Sequence, residues 1–172
     1  MTYSANEIAG LSQKAARGAG FPPAQAEIFG RAAAVHLGTG GAAEALIEAL
    51  RTASDSPILR LPLLMDDILR GLTLAGPTIT LTLQPGDEAL APAYARLLQV
   101  RLTDCQVTRS GDGLPQITLS GDTTVRARLA LPPRIPAPTG LIDRLTRLAA
   151  ATYVPATAAS RAGAGAGNID ND

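Results

Sequence analysis

The chain has 172 residues, and its 15 lysines and arginines are balanced by 15 aspartates and glutamates, giving zero formal net charge. That balance excludes the basic surplus by which nucleic-acid binders neutralise phosphates, and no stretch reaches the ~18 apolar residues of a membrane span. Hydrophobic residues make up 46% but aromatics only 3%, so a core is expected from Leu, Ile, Val and many alanines, with interfaces packed close by small side chains. The opening MTYSANEIAG lacks the basic-then-apolar layout of a signal peptide, and the lone Cys105 leaves no internal disulfide. A cytoplasmic protein without membrane or nucleic-acid partners is expected.

Taken in chain order, Ser4-Ala5-Asn6-Glu7 is a capping box, and Ile8, Leu11, Ala15 and Ala19 then recur at helical spacing until Gly18 and Gly20. Pro22 and Pro23 suit the first turn of a second helix, running to about Leu37 with His36 among its apolar positions. A third helix is expected from Ala42 to about Ala53. Residues 54–62 hold two prolines and read as a turn-rich connector before a short helix from Leu63 to Leu72, with Asp66 and Asp67 near its start.

From Pro77 the period changes to two. Thr78-Ile79-Thr80-Leu81-Thr82-Leu83 alternates without a fault, as a strand with one wet face requires. Further alternation at residues 100–107, interrupted near Thr103-Asp104 by an expected bulge, then at 117–119 and 125–131, predicts an antiparallel meander of three to four strands. Leu141, Leu145 and Leu148 mark a closing amphipathic helix placed to cover the sheet. The fold class is therefore α+β, with a helical layer over 1–76, a sheet and covering helix over 77–155, and an extended Gly/Ala tail over 156–172, in one globular domain overall.

Candidates for chemistry are few. His36 is the one histidine and Cys105 the one cysteine, so no multi-ligand metal cluster and no resident cofactor is expected. Arg126 and Arg128 fall on the wet side of one predicted strand, where a solvated face is the favoured reading over an anion site. The glycine run of the tail lacks the following helix and lysine of a phosphate loop. Its small residues do permit the backbone to lie close against a surface, and would carry Ser160, Arg161, Asp170 and Asp172 to a fixed place. A site is accordingly expected where Arg161, Ser160, Asp170 and Asp172 meet Asp66, Asp67 or His36.

Two segments, YSANEIAGLSQKAARGAGFPPAQAEIFGRAA and TYVPATAASRAGAGAGNIDND, resemble an uncharacterised bacterial family known as domain of unknown function 3726. The resemblance implies that the tail is a family feature, and it brings no activity with it. No recognisable catalytic constellation stands out. The expected role is a non-catalytic binding or accessory subunit, in a homo-oligomer or with a companion enzyme of small-molecule metabolism. The alternative is a small enzyme acting on an organic acid or amide, its site formed by the tail.

Overall fold

The computed structural model describes residues 1–152, so the tail and its expected extended course lie outside the described residues. The fold is α+β. A short strand β1 (Thr2–Tyr3) leads into α1 (Ala5–Gly18), α2 (Pro23–Gly38), α3 (Ala43–Ala49) and α4 (Pro57–Leu74). Strand β2 (Thr78–Thr82), helix α5 (Ala91–Ala95), strands β3 (Arg101–Arg109), β4 (Pro115–Asp122) and β5 (Ile135–Pro136), and helix α6 (Thr139–Ala150) follow.

Helix α1 starts as its capping box requires: the Glu7 amide donates to Ser4 Oγ at 3.2 Å and the Ser4 amide donates to Glu7 Oε2 at 2.7 Å. Two of its partners come exceptionally near. A Cβ at Gly30 of α2 would collide with the Ala9 carbonyl oxygen, and one at Gly18 of α1 with the Leu148 carbonyl oxygen of α6. Glycine at both positions lets backbone meet backbone, and the buried alanines 15, 16, 26, 32 and 33 fill the seams beside them.

The two prolines read as a connector lie inside a helix. Pro57 occupies the first turn of α4, where a missing N–H costs nothing, and the Ser56 hydroxyl caps it by accepting the Ile58 amide at 3.1 Å. Pro62 is within the helix and removes the donor that would serve the Ile58 carbonyl. That loss is of order 3 kcal/mol. Burial of Ile58, Leu61, Ile68 and Leu72 offsets it, at roughly 1.5–3 kcal/mol for each large apolar side chain.

The sheet is antiparallel with three strands in the order β2-β4-β3. A β3–β4 hairpin therefore has β2 on its far side, so β2 and β3 are not neighbours as a chain-order meander would make them. The register slips between Leu102 and Asp104, at the expected bulge. Ile79, Ile117 and Leu119 point inward, while Thr80 and Thr118 bond across the wet face at 2.9 Å, as do Thr78 and Ser120.

Residues 125–131 form no strand of the sheet. They run beside residues 99–101 on two backbone bonds, from the Arg101 amide to the Val125 carbonyl at 3.0 Å and from the Ala127 amide to the Gln99 carbonyl at 3.4 Å. A turn fastened by Asp122, which accepts the Thr124 amide at 2.9 Å, has already redirected the chain away from β4. Helix α6 also departs from expectation: it packs on α1 and α3, while α4 contacts β2 and β4 and α5 contacts β3. The cause is the pairing of β5 with β1, reinforced by Arg134, whose guanidinium donates to the Thr2 carbonyl at 2.5 Å and faces Glu7 at 3.5 Å. This clasp returns the chain to the helical layer before α6 begins. One hydrophobic cluster spans both layers, from Ile8, Phe29 and Leu46 to Ile117, Leu119 and Leu145.

Gly18→Ala is expected to lower unfolding stability by about 1–3 kcal/mol, the usual cost of overpacking, because backbone rather than a flexible side chain must yield. Gly10→Ala, in the same helix with nothing within 4 Å of the added carbon, should instead raise stability by roughly 0.5–1 kcal/mol. Urea denaturation of the two variants beside the wild-type chain separates these outcomes.

Candidate functional site

Of the sequence-predicted site residues the structure describes His36, Asp66 and Asp67, and His36 is not joined to either aspartate. His36 lies in the last turn of α2 at 7% exposure, and its Nε2–H donates to the Ala42 carbonyl oxygen at 2.8 Å. Gly41 lies flat against the imidazole, where a Cβ would overlap the ring. The side chain thus ties the end of α2 to the start of α3. Asp66 and Asp67 project from the exposed side of α4, and no hydrogen bond or ion pair joins either to His36. Ser160, Arg161, Asp170 and Asp172 fall outside the described residues. Among the described residues no group of three or more His, Cys, Asp or Glu lies close enough to share a metal ion, and no helix is long and apolar enough to cross a membrane.

The strongest buried charge pairing is structural. Arg60 of α4 holds the Asp87 carboxylate with two nitrogens, Nη2 to Oδ1 at 2.7 Å and Nε to Oδ2 at 3.0 Å, and also pairs with Asp55. Asp87 is only 3% exposed and sits in the turn between β2 and α5, so the pair fastens the helical layer to the sheet. Nearby, the Tyr94 hydroxyl is pushed up by burial and further by the Asp87 charge, which keeps it protonated.

A different set of residues converges on a groove between the start of α1, the middle of α2, the end of α5 and the 125–131 segment. Ala5 and Ala9 of α1 face Ala34 and Val35 of α2, and these short side chains leave a hollow of about 500 Å³. The 125–131 segment supplies Ala127, Arg128, Leu129 and Leu131 as a roof. The roof is incomplete, since Leu129 remains 41% exposed. Three guanidinium side chains line the same hollow: Arg31 from α2, Arg96 just after α5, and Arg128 from the roof. A smaller adjoining hollow of about 170 Å³ shares Arg96 and Arg128 and adds Arg101.

Arg101 is held by Asp122 at 3.3 Å, whereas Arg31, Arg96 and Arg128 form no ion pair among the described residues. No Asp or Glu stands among the described residues lining either hollow. A chain of zero net charge thus concentrates positive potential over an apolar floor. The volume is within the range of small-ligand pockets, and guanidinium presents paired donors that match a carboxylate or phosphate. Comparison with protein-family models, with curated proteins and with solved structures gives no match for this chain.

The sequence offered one part of this groove and withheld the rest. Arg128 was visible as half of an arginine pair in an alternating segment. Arg31 and Arg96 are isolated cations with no motif around them, and only the folding of α2, α5 and residues 125–131 brings them to the lining of one hollow.

Cys105 of β3 stands apart from the groove lining and from His36. It pairs in register with Leu119 and packs partly buried against the core. Burial pushes its thiol up and the Asp104 charge adds to this, while Arg96 opposes it only in part. Thiolate therefore forms at higher pH than in a free thiol, and alkylation by iodoacetamide at neutral pH should be slower than for a model cysteine peptide. The rate–pH midpoint should lie above the ordinary ~8.5; a midpoint below it would make Cys105 a reactive group.

Proposed function

We propose that the chain is a non-catalytic binding protein, an accessory subunit of small-molecule metabolism, which takes an organic acid into the arginine-lined groove. The observation that carries this reading is the convergence of Arg31, Arg96 and Arg128 on an apolar hollow without carboxylate partners among the described residues. Unpaired guanidinium groups beside leucine and alanine favour an anionic head and an apolar body in one ligand. An inorganic ion would leave the floor of Ala34 and Val35 and Leu131 of the roof facing water, and a neutral lipid would leave the cations unmatched.

Binding is favoured over catalysis by what the groove contains. Its described lining includes Asn6 and Gln99 as polar neutral groups and no histidine, cysteine, lysine, serine or carboxylate to move a proton or attack a substrate. His36 spends its Nε2–H on a backbone carbonyl. The enzyme alternative would require reactive groups from outside the described residues.

Octanoate, octanol and inorganic phosphate separate the contributions of head and body. Octanoate at about 100 times its dissociation constant should stabilise the fold by about 2.7 kcal/mol in thermal unfolding, with octanol and phosphate at equal concentration giving far less. Arg96→Ala and Arg128→Ala should each weaken octanoate binding roughly tenfold, the scale of a lost charge-assisted hydrogen bond, with circular dichroism unchanged. Equal responses to octanoate and octanol, or undiminished binding by both variants, would overturn the reading.

A further inference from the structure

Helix α4 buries Ile58, Leu61, Ile68 and Leu72 against the core and turns Leu63, Asp67, Arg70 and Leu74 to the opposite side. Leu63 is 66% exposed and Leu74 is 85% exposed, large values for leucine in a helix that already has a buried face. The spacing along this outer line is four, three and four residues, the seam spacing by which one helix lays side chains into another. Neither Asp67 nor Arg70 takes part in an ion pair among the described residues.

The line Leu63–Asp67–Arg70–Leu74 reads the same in chemistry from either end once charge is inverted at its centre. A two-fold axis passing between Ile68 and Leu69 therefore sets an antiparallel copy of α4 in a specific register. Leu63 then meets the partner's Leu74, Asp67 meets the partner's Arg70, and both contacts are repeated across the axis. We propose that the exposed face of α4 is the interface of an antiparallel homodimer, and that the occupant of this face is a second copy of the chain.

Two physical features favour that occupant over an unrelated protein. An isologous contact requires a patch complementary to itself, and this patch satisfies the requirement in both its apolar and its charged positions. A parallel pairing would place Asp67 beside Asp67 and Arg70 beside Arg70, so the charges select the antiparallel arrangement as well as the register. The seam spans about 16 Å at 1.5 Å per residue, small for a specific interface, which makes a reversible dimer of modest affinity the expected form.

Sedimentation equilibrium of the full chain between about 1 μM and 1 mM, a range that brackets modest affinities, provides the test. The wild-type chain should move from monomer to dimer across this range. Asp67→Arg sets arginine against the partner's Arg70, and Arg70→Asp sets aspartate against the partner's Asp67; each should weaken association at least tenfold. The double variant Asp67→Arg/Arg70→Asp restores opposite charges across the axis and should recover most of the association, an outcome that a purely structural role for either side chain does not produce. Circular dichroism of each variant confirms that the fold is kept, and Leu74→Glu provides a second disruption that leaves both charges in place. A chain monomeric throughout, a dimer indifferent to the single changes, or a double variant as weak as the singles overturns the proposal and leaves the face to another partner.

Discussion

The fold depends on how near α1 can come to the helices on either side of it. Gly18 and Gly30 bring its backbone against α6 and α2 at distances that any side chain would forbid, and alanines continue the contact. Interfaces of this kind gain through many short dispersion contacts rather than through a few large side chains, which suits a chain with two phenylalanines and no tryptophan. The same economy has a second effect. Beside Ala5, Ala9, Ala34 and Val35 the side chains are too short to fill the space beneath residues 125–131, and a hollow opens. The groove is a by-product of small-residue packing, and its arginines arrive from neighbouring elements.

Joining the helical layer to the sheet falls to a different interaction. Arg60 reaches from α4 to the carboxylate of Asp87, which is almost wholly withdrawn from water. A buried pair of this kind contributes little relative to an apolar replacement, yet removal of one partner strands the other charge. Its effect is to fix the turn before α5, and with it Arg96 at the far end of that helix. One ion pair therefore stands behind both the attachment of the two layers and the position of a cation in the groove.

Much of the fold was legible because local signals agreed with their surroundings. The capping box at Ser4, the prolines opening α2, the alternation of residues 78–82 and the bulge beside Asp104 are each decided by a few neighbouring residues. Pro57 and Pro62 misled because local chemistry marks a proline as a breaker, and only the burial of the leucines and isoleucines around them reverses that. The alternation at 125–131 was real, but alternation reports which side of an extended segment is apolar and says nothing of whether a neighbour supplies a ladder. Helix α6 was recognised while its partner was not, since an amphipathic stripe names no recipient. The groove was least legible of all, being assembled from single arginines on three elements; the tail residues Ser160, Arg161, Asp170 and Asp172 lie outside what the structure describes.

The clasp between β1 and β5 has a consequence for the order in which the molecule can be made. Thr2 and Tyr3 find their partners in Pro136 and Ile135, and Gly18 finds its own in Leu148. At ordinary translation speeds of about 5–20 residues per second, α1 and α2 leave the ribosome many seconds before the segments that shield their outer side. The nascent helical hairpin must wait with an apolar flank uncovered, so chaperone protection during synthesis would matter more for this chain than for one whose early elements close upon themselves.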